Sequence, residues 1–316
     1  MNVGFIGLGN LGQKLASTLI RNKIKLMIYD IREESGEKLI NSGASWGENP
    51  QIIAEKNDYI ITCLPSPKIC AEVMESQNGV LSGLGEGKIW IEMSTTSKNE
   101  VLRLAEKVRQ KGSISSDCPV SGGCHKAASG NISIFSGCER EVFERLKPIL
   151  FIMGKKILHT GELGTASILK VMTNYLATAN LISCCEALTT MKGVGLDLAT
   201  TFEAIRISSG NSFVHETESQ VILNGSRDIN FTMGLVLKDI KIFQALAKTN
   251  DIPLDISPKL IEIFQEGIST FGENSNSPAI IKRLERKTGL DITATGFPSQ
   301  IVDDESEKKG FEVTLK

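Results

Sequence analysis

Short apolar runs rich in β-branched residues alternate with helical patterns from residue 2 to about residue 160. The runs predict strands over Asn2–Ile6, Lys25–Asp30, Asp58–Cys63, Lys88–Glu92, Ser113–Asp117 and Ile132–Ser136. Between them, apolar positions at helical spacing predict helices over 10–22, 33–42, 50–56, 67–76, 97–111 and 139–150. Strands that alternate with helices in this way imply right-handed βαβ units on a parallel sheet.

After residue 160 the texture changes. Gly164 precedes a long helical run to about Gly193, and further helices are predicted near 198–208, 212–224, 233–249 and 257–270. Strand signals almost vanish. The chain therefore divides into an α/β domain over 1–162, an all-helical domain over 163–290 and a C-terminal extension over 291–316. A helix of about 28 residues spans about 42 Å and serves as the spine of the second domain. The extension carries Asp303-Asp304-Glu305 and Glu307-Lys308-Lys309 before a strand-like Phe311–Leu315. It reads either as a solvated extension or as an arm that packs on a partner subunit.

Composition narrows the function. A length of 316 residues suits two domains, each with its own core. Lys+Arg 35 against Asp+Glu 37 gives a formal net charge of -2 and no basic stripe, which speaks against a nucleic-acid partner. The seven cysteines are odd in number and form no CxxC pair, so reduced thiols in a cytoplasmic protein are expected. The N-terminus lacks the charged region of a signal peptide, and Lys170, Asn174, Asn180 and Glu186 interrupt the longest apolar stretch. No membrane association is expected.

Gly7-Leu8-Gly9-Asn10-Leu11-Gly12 matches G-x-G-x-x-G directly after the first strand and at the start of a helix. In that context Gly7 permits the tight turn, Gly9 lets backbone approach a pyrophosphate, and Gly12 lets helix and strand pack closely. The helix start offers unpaired N–H groups to the phosphates. Asp30 closes the second strand, where its carboxylate can accept from both ribose hydroxyls and repel a 2′-phosphate. NAD is the expected cofactor; Arg32, two residues on, keeps NADP open. The first domain is thus Rossmann-like, with ligands at the C-terminal ends of its strands. Leu64 and Pro65, after the strand over 58–63, line the adenosine and ribose side. Thr95, in Ser94-Thr95-Thr96, faces the nicotinamide end, whereas Thr96 and Ser97 read as N-caps of the next helix.

Alcohol–carbonyl chemistry also needs a proton donor and acceptor. None of the three histidines has an orienting carboxylate at local spacing; His125 alone lies near a plausible ligand loop and is a candidate substrate contact. Lys170 and Asn174 stand at i and i+4 near the start of the long helix, on a face otherwise apolar through Ile168 and Val171. A lysine partly removed from water has a depressed pKa and can exchange protons near neutrality. A solvated lysine is the equal reading from spacing alone. Ser121, Gly122 and Gly123 form a loop whose hydroxyl and amides suit a carboxylate, or simply a glycine turn. Lys238-Asp239 alone reads as a surface ion pair on an amphipathic helix.

Taken in order, Gly4–Gly12, Met93-Ser94-Thr95-Thr96, Pro119-Val120-Ser121-Gly122-Gly123, Lys170-x-x-x-Asn174, Phe231 and Lys238-Asp239 resemble the β-hydroxyacid dehydrogenase family over about residues 1–290. The resemblance implies NAD(P)-dependent interconversion of a small 3-hydroxy acid and its semialdehyde. It gives Lys170 the general acid–base role with Asn174 beside it. Ser121, Gly122 and Gly123 then bind the substrate carboxylate, Thr95 meets the nicotinamide end, and Lys238 lies over the cofactor. A homodimer or homotetramer is implied as well. Thr173 stands where relatives often carry a first asparagine, and the segment Cys124-His125-Lys126-Ala127 falls where the family varies with substrate. The alternatives are a non-catalytic dinucleotide-sensing module and a reductase of a four-carbon or sulfonated semialdehyde. Oxidative decarboxylation of a sugar acid calls for a larger helical domain.

Overall fold

A computed structural model describes residues 1–314. The chain forms two compact units, Met1–Lys170 together with residues from Asp303 onward, and Val171–Val302.

In the first unit the strands are β1 (Asn2–Ile6), β2 (Lys25–Tyr29), β3 (Ser45–Trp46), β4 (Tyr59–Thr62), β5 (Ile89–Glu92), β6 (Ile114–Asp117), β7 (Val120–Ser121), β8 (Ile132–Gly137), β9 (Gly154–Gly161) and β10 (Phe311–Glu312). They form one sheet in the order β10-β9-β8-β6-β5-β4-β1-β2-β3, with β7 paired to β8 off that path. The half from β3 to β6 is parallel, as the alternating pattern predicts. The expectation of a wholly parallel sheet is corrected at β8, which runs antiparallel to β6 and β7. Here the chain folds back as a β7–β8 ladder, with Ser121 opposite Ser133, so no parallel crossover forms.

Both faces of the sheet are covered, which is why its strands read as apolar runs and not as strict alternations. Phe5, Ile61, Ile89 and Ile91 share one core with Leu15 and Leu19 of the helix Asn10–Arg21 and with Phe143, Leu146 and Leu150 of the helix Arg140–Met153. Their strand neighbours Ile6, Ile60 and Trp90 face the other core, with Ile53, Leu104 and Val108. Three strands, β3, β7 and β9, are missing from the predicted set. β3 and β7 are only two residues long, and β9 begins directly at Gly154, the C-cap of the preceding helix.

The helical unit takes most of the helix Thr165–Gly193, then Leu198–Arg206, Phe213–Asn224, Met233–Thr249, Ile256–Phe271 and Lys282–Thr288. Asp197, Ser212 and Thr232 cap three of them by accepting backbone N–H bonds. Leu188, Ile222, Leu223, Met233, Ile240, Phe264 and Ile281 are fully buried in its core. Among the described residues, no helix is long and apolar enough to cross a membrane.

The extension differs from the solvated reading. Residues 291–302 stay with the helical unit, and from Asp303 the chain packs on the first unit in place of the solvated tail. β10 extends the sheet beside β9, with Phe311 opposite Lys156. Gly310 donates to the Phe151 carbonyl at 2.9 Å and Val313 to the Ile157 carbonyl at 2.7 Å. Leu315, at the end of the expected strand, lies outside the described residues.

Gly310 has no room for a side chain: an added Cβ would stand 2.2 Å from the Gly154 carbonyl oxygen. Gly310→Ala is expected to lower stability by about 1–3 kcal/mol through overpacking against backbone. A melting curve unchanged from the parent would contradict the docking of this strand.

Candidate active site

The glycine loop departs from β1. Gly7 has φ +98, and a Cβ there would meet the Cys63 carbonyl oxygen at 2.3 Å; one on Gly12 would meet the Gly7 carbonyl oxygen at 2.0 Å. Both positions are therefore closed to side chains by the fold itself. Gly9 is different, since a Cβ there would find nothing within 4 Å. It is exposed, beside exposed Asn10 and half-buried Leu11, and it precedes the helix Asn10–Arg21 with no side chain capping the helix's amides. A cradle open at Gly9 and crowded at Gly7 and Gly12 fits a dinucleotide pyrophosphate.

Asp30 follows β2, and its Oδ2 accepts the Leu8 N–H at 2.7 Å while Oδ1 accepts the Arg32 N–H at 3.0 Å. The loop amides thus fix this carboxylate, whose side chain is 12% exposed, against the glycine turn. The Arg32 Nε lies 3.9 Å from Oδ1 on a side chain 63% exposed.

Glu92 organises the ends of β4 and β5. Ser94 N–H donates to its Oε1 at 2.6 Å, and the Thr62 hydroxyl and the Cys70 thiol donate to Oε2. Trp90 Nε1 donates to the Thr62 hydroxyl at 2.8 Å. Burial pushes the Glu92 carboxyl up, against the donors Cys70, Ser94 and Thr62. The Ser94 hydroxyl accepts the Leu64 N–H at 2.8 Å, so one buried network sets both strand-end loops. Pro65 is exposed, Leu64 and Thr95 half-buried. Burial, then the charge of Glu92, pushes the Cys63 thiol up to about 12, which leaves it an unreactive thiol. Ser97 caps the next helix at the Glu100 N–H. Thr96 does not, and its buried hydroxyl has no hydrogen-bond partner among the described residues.

Asp117 ends β6 and is fully buried. Its Oδ1 accepts the Gly164 N–H at 2.8 Å; its Oδ2 accepts the Ser167 N–H at 2.7 Å and the Ser167 hydroxyl at 2.8 Å. Burial raises its pKa and these bonds oppose the rise. A sheet carboxylate thereby satisfies the first orphan amides of the helix Thr165–Gly193. Lys170, three residues beyond Ser167, is only 9% exposed. The reading of Lys170 as a solvated lysine is set aside.

Ser121 lies in β7, and Gly122 and Gly123 follow with φ +127 and +82. Such positive φ values are open to glycine and strained for other residues, so the backbone of this turn requires both glycines. His125 lies in the short helix Gly123–Ala128, where burial and then the charge of Lys126 lower its pKa, against Asp303. The other two histidines have structural work. His159 stacks on Phe143, and His215 is held between the Phe202 carbonyl at 2.9 Å and Ser219 at 3.1 Å.

Within the helical unit, Asn174 Nδ2 donates to Asp239 Oδ2 at 2.6 Å, and Lys238 Nζ lies 2.8 Å from Asp239 Oδ1. Asp239 is 2% exposed, so the pair is not the surface ion pair that its spacing suggested. Asp239, Asp117 and Glu92 all escaped the search for functional residues. A carboxylate at the last position of an apolar strand was the available signal for Glu92; Asp117 closes a strand with two serines before it and had no such signal.

Asp117→Ala strands two backbone N–H groups in a buried setting and is expected to cost about 2–4 kcal/mol. Urea denaturation measures this, and a midpoint equal to the parent's would contradict it.

The family described as the NAD binding domain of 6-phosphogluconate dehydrogenase matches residues 2–161. The one described as NAD-binding of NADP-dependent 3-hydroxyisobutyrate dehydrogenase matches residues 164–284. A 2-(hydroxymethyl)glutarate dehydrogenase of Eubacterium barkeri is 32% identical over 294 residues, 93% of this chain and 98% of that protein. The mitochondrial 3-hydroxyisobutyrate dehydrogenase of Bos taurus is 30% identical over 270 residues, 83% of this chain and 80% of that protein. Among solved structures, a 3-hydroxyisobutyrate dehydrogenase from Salmonella typhimurium superposes with TM-score 0.83 at 22% identity, over 90% of this chain and 99% of that one. The chain belongs to the β-hydroxyacid dehydrogenase family and is an NAD(P)-dependent dehydrogenase of the 3-hydroxyacid type.

Proposed function

We propose that the chain oxidises a small acid whose primary alcohol sits on the carbon next to the carboxylate-bearing one, and reduces the matching semialdehyde in reverse. The substrates named for its relatives, 3-hydroxyisobutyrate and 2-(hydroxymethyl)glutarate, share that unit and differ in the side group. The observation that carries the reading is the buried Lys170, held one turn beyond the helix start that Asp117 fixes to the end of β6.

In oxidation the neutral Lys170 amine takes the hydroxyl proton; in reduction its ammonium returns a proton to the carbonyl oxygen. Bound nicotinamide supplies the hydride acceptor or donor. Asn174, oriented by Asp239, holds the substrate hydroxyl or the lysine. Ser121 and the Gly122 and Gly123 amides bind the carboxylate, with His125 as a further substrate contact. The amides around Gly7, Gly9, Asn10, Leu11 and Gly12 hold the pyrophosphate, and Asp30 accepts from the ribose hydroxyls. Leu64 and Pro65 border the adenosine side, Thr95 meets the nicotinamide end, and Lys238 closes over the cofactor. Loop amides fix Asp30 against the glycine turn, which supports its role at the ribose and favours NAD; exposed Arg32 offers a 2′-phosphate its partner in NADP. A cytoplasmic homodimer or homotetramer is part of the same reading.

Lys170→Ala is expected to lower kcat by about 10²–10⁴-fold while NADH binding is kept. Turnover equal to the parent's would remove the lysine from the mechanism. The glycine cradle gives a second contrast. Gly9→Ala is expected to leave Tm unchanged and weaken NADH binding by about tenfold or more, whereas Gly12→Ala loses about 1–3 kcal/mol of stability. Equal melting and equal NADH affinity in both variants would refute the cradle.

A further inference from the structure

Asp303, the first residue of the returning tail, is held on three sides. Its side chain is 4% exposed and pairs with Lys126. The Ser129 hydroxyl donates to it as well, and Asn131 Nδ2 donates to its Oδ2 at 2.8 Å. Burial pushes its pKa up, but the bonds from Lys126, Ser129 and Asn131 overcome that and hold it well below the usual carboxylate range.

These three partners surround one loop. Lys126 lies in the helix Gly123–Ala128, which Gly122 precedes, and Ser129 is its C-terminal cap. The Lys126 stem lies against Gly122: its Cβ and Cγ stand 3.5 Å from where a Gly122 Cβ would be. Asn131 leads into β8, whose Ser133 and Ile134 pair with Ser121 and Val120. One carboxylate thus grips the helix that leaves Ser121-Gly122-Gly123 and the residue that leads into β8, the strand paired with Ser121. The rest of the tail secures it. Asn131 Nδ2 also donates to the Glu305 carbonyl, Lys155 pairs with Glu305, and Glu307 accepts from Asn22 at 2.7 Å and pairs with Arg21 at 3.1 Å.

We propose that Asp303 is a positioning residue for the substrate carboxylate: through Lys126, Ser129 and Asn131 the C-terminal tail fixes the amides of Gly122 and Gly123 and the hydroxyl of Ser121. The inference rests on the reading of that loop as the carboxylate site. Asp303 touches neither substrate nor cofactor. It acts by keeping left-handed glycines, which have the widest conformational freedom of any residue, in one arrangement. A loop ordered before binding loses less entropy when the anion arrives.

The test uses the full chain. Asp303→Ala is expected to raise KM for the carboxylate-bearing semialdehyde by about tenfold with kcat little changed, the pattern of lost uniform binding. NADH affinity and KM for an uncharged aldehyde of the same length stay as in the parent. Asp303→Asn keeps the shape and an acceptor for Ser129 but loses the ion pair, so a smaller rise is expected; it also serves if the alanine variant does not fold. Amide hydrogen exchange across residues 122–128 should quicken in either variant. An unchanged KM, or an equal rise with the uncharged aldehyde, overturns the proposal. Ser121→Ala, measured alongside, separates the two claims. If it raises KM and Asp303→Ala does not, the positioning role falls and the carboxylate loop stands. If Ser121→Ala has no effect, the loop reading falls and the positioning role with it.

Discussion

At the end of β6, the buried Asp117 carboxylate accepts two backbone amides and a hydroxyl from the start of the helix Thr165–Gly193. A buried carboxylate is costly unless its lone pairs are satisfied, and helix amides are orphaned unless something accepts them. Each defect here cures the other. The join fixes where the long helix begins relative to the strand ends, and with it where Lys170 stands. In physical terms, the catalytic reading depends on a capping interaction made across 50 residues of sequence.

The same device recurs along the sheet. Glu92 ties the turns after β4 and β5 together, with Ser94 reaching on to the Leu64 amide. Asp30 ties the end of β2 to the glycine turn through the Leu8 amide. Three strands therefore end in carboxylates that accept backbone amides of loops. Such bonds are charge-assisted and directional, and low exposure keeps water from replacing them. These bonds hold the strand-end loops in defined places, which suits a reaction in which small geometric errors slow the chemistry.

Much of this was legible in the sequence because its signals are local. The apolar runs that became β1, β4 and β5 are short and bounded by turn residues, and Asn2–Ile6 is found as expected. Gly7, Gly9 and Gly12 stand out by spacing, whereas Lys170 at i and Asn174 at i+4 read equally as solvated until burial is known. What escaped depends on distant partners. Nothing near Asp117 announces Ser167, and nothing near Asp239 announces Asn174. The tail misled for the same reason: its charges read as solvated, yet Asp303, Glu305, Glu307 and Glu312 each meet a cation of the first unit. The antiparallel β8 follows from pairing with the two-residue β7, too short to show a period.

The most direct test of the account is the appearance of reduced nicotinamide when purified protein meets NAD or NADP and a panel of short hydroxy acids. The panel places the alcohol next to the carboxylate-bearing carbon in some members and farther along in others. The account predicts turnover confined to the first group and faster with NAD than with NADP. Turnover that ignores the position of the carboxylate, or none with any member while NADH still binds, would contradict it.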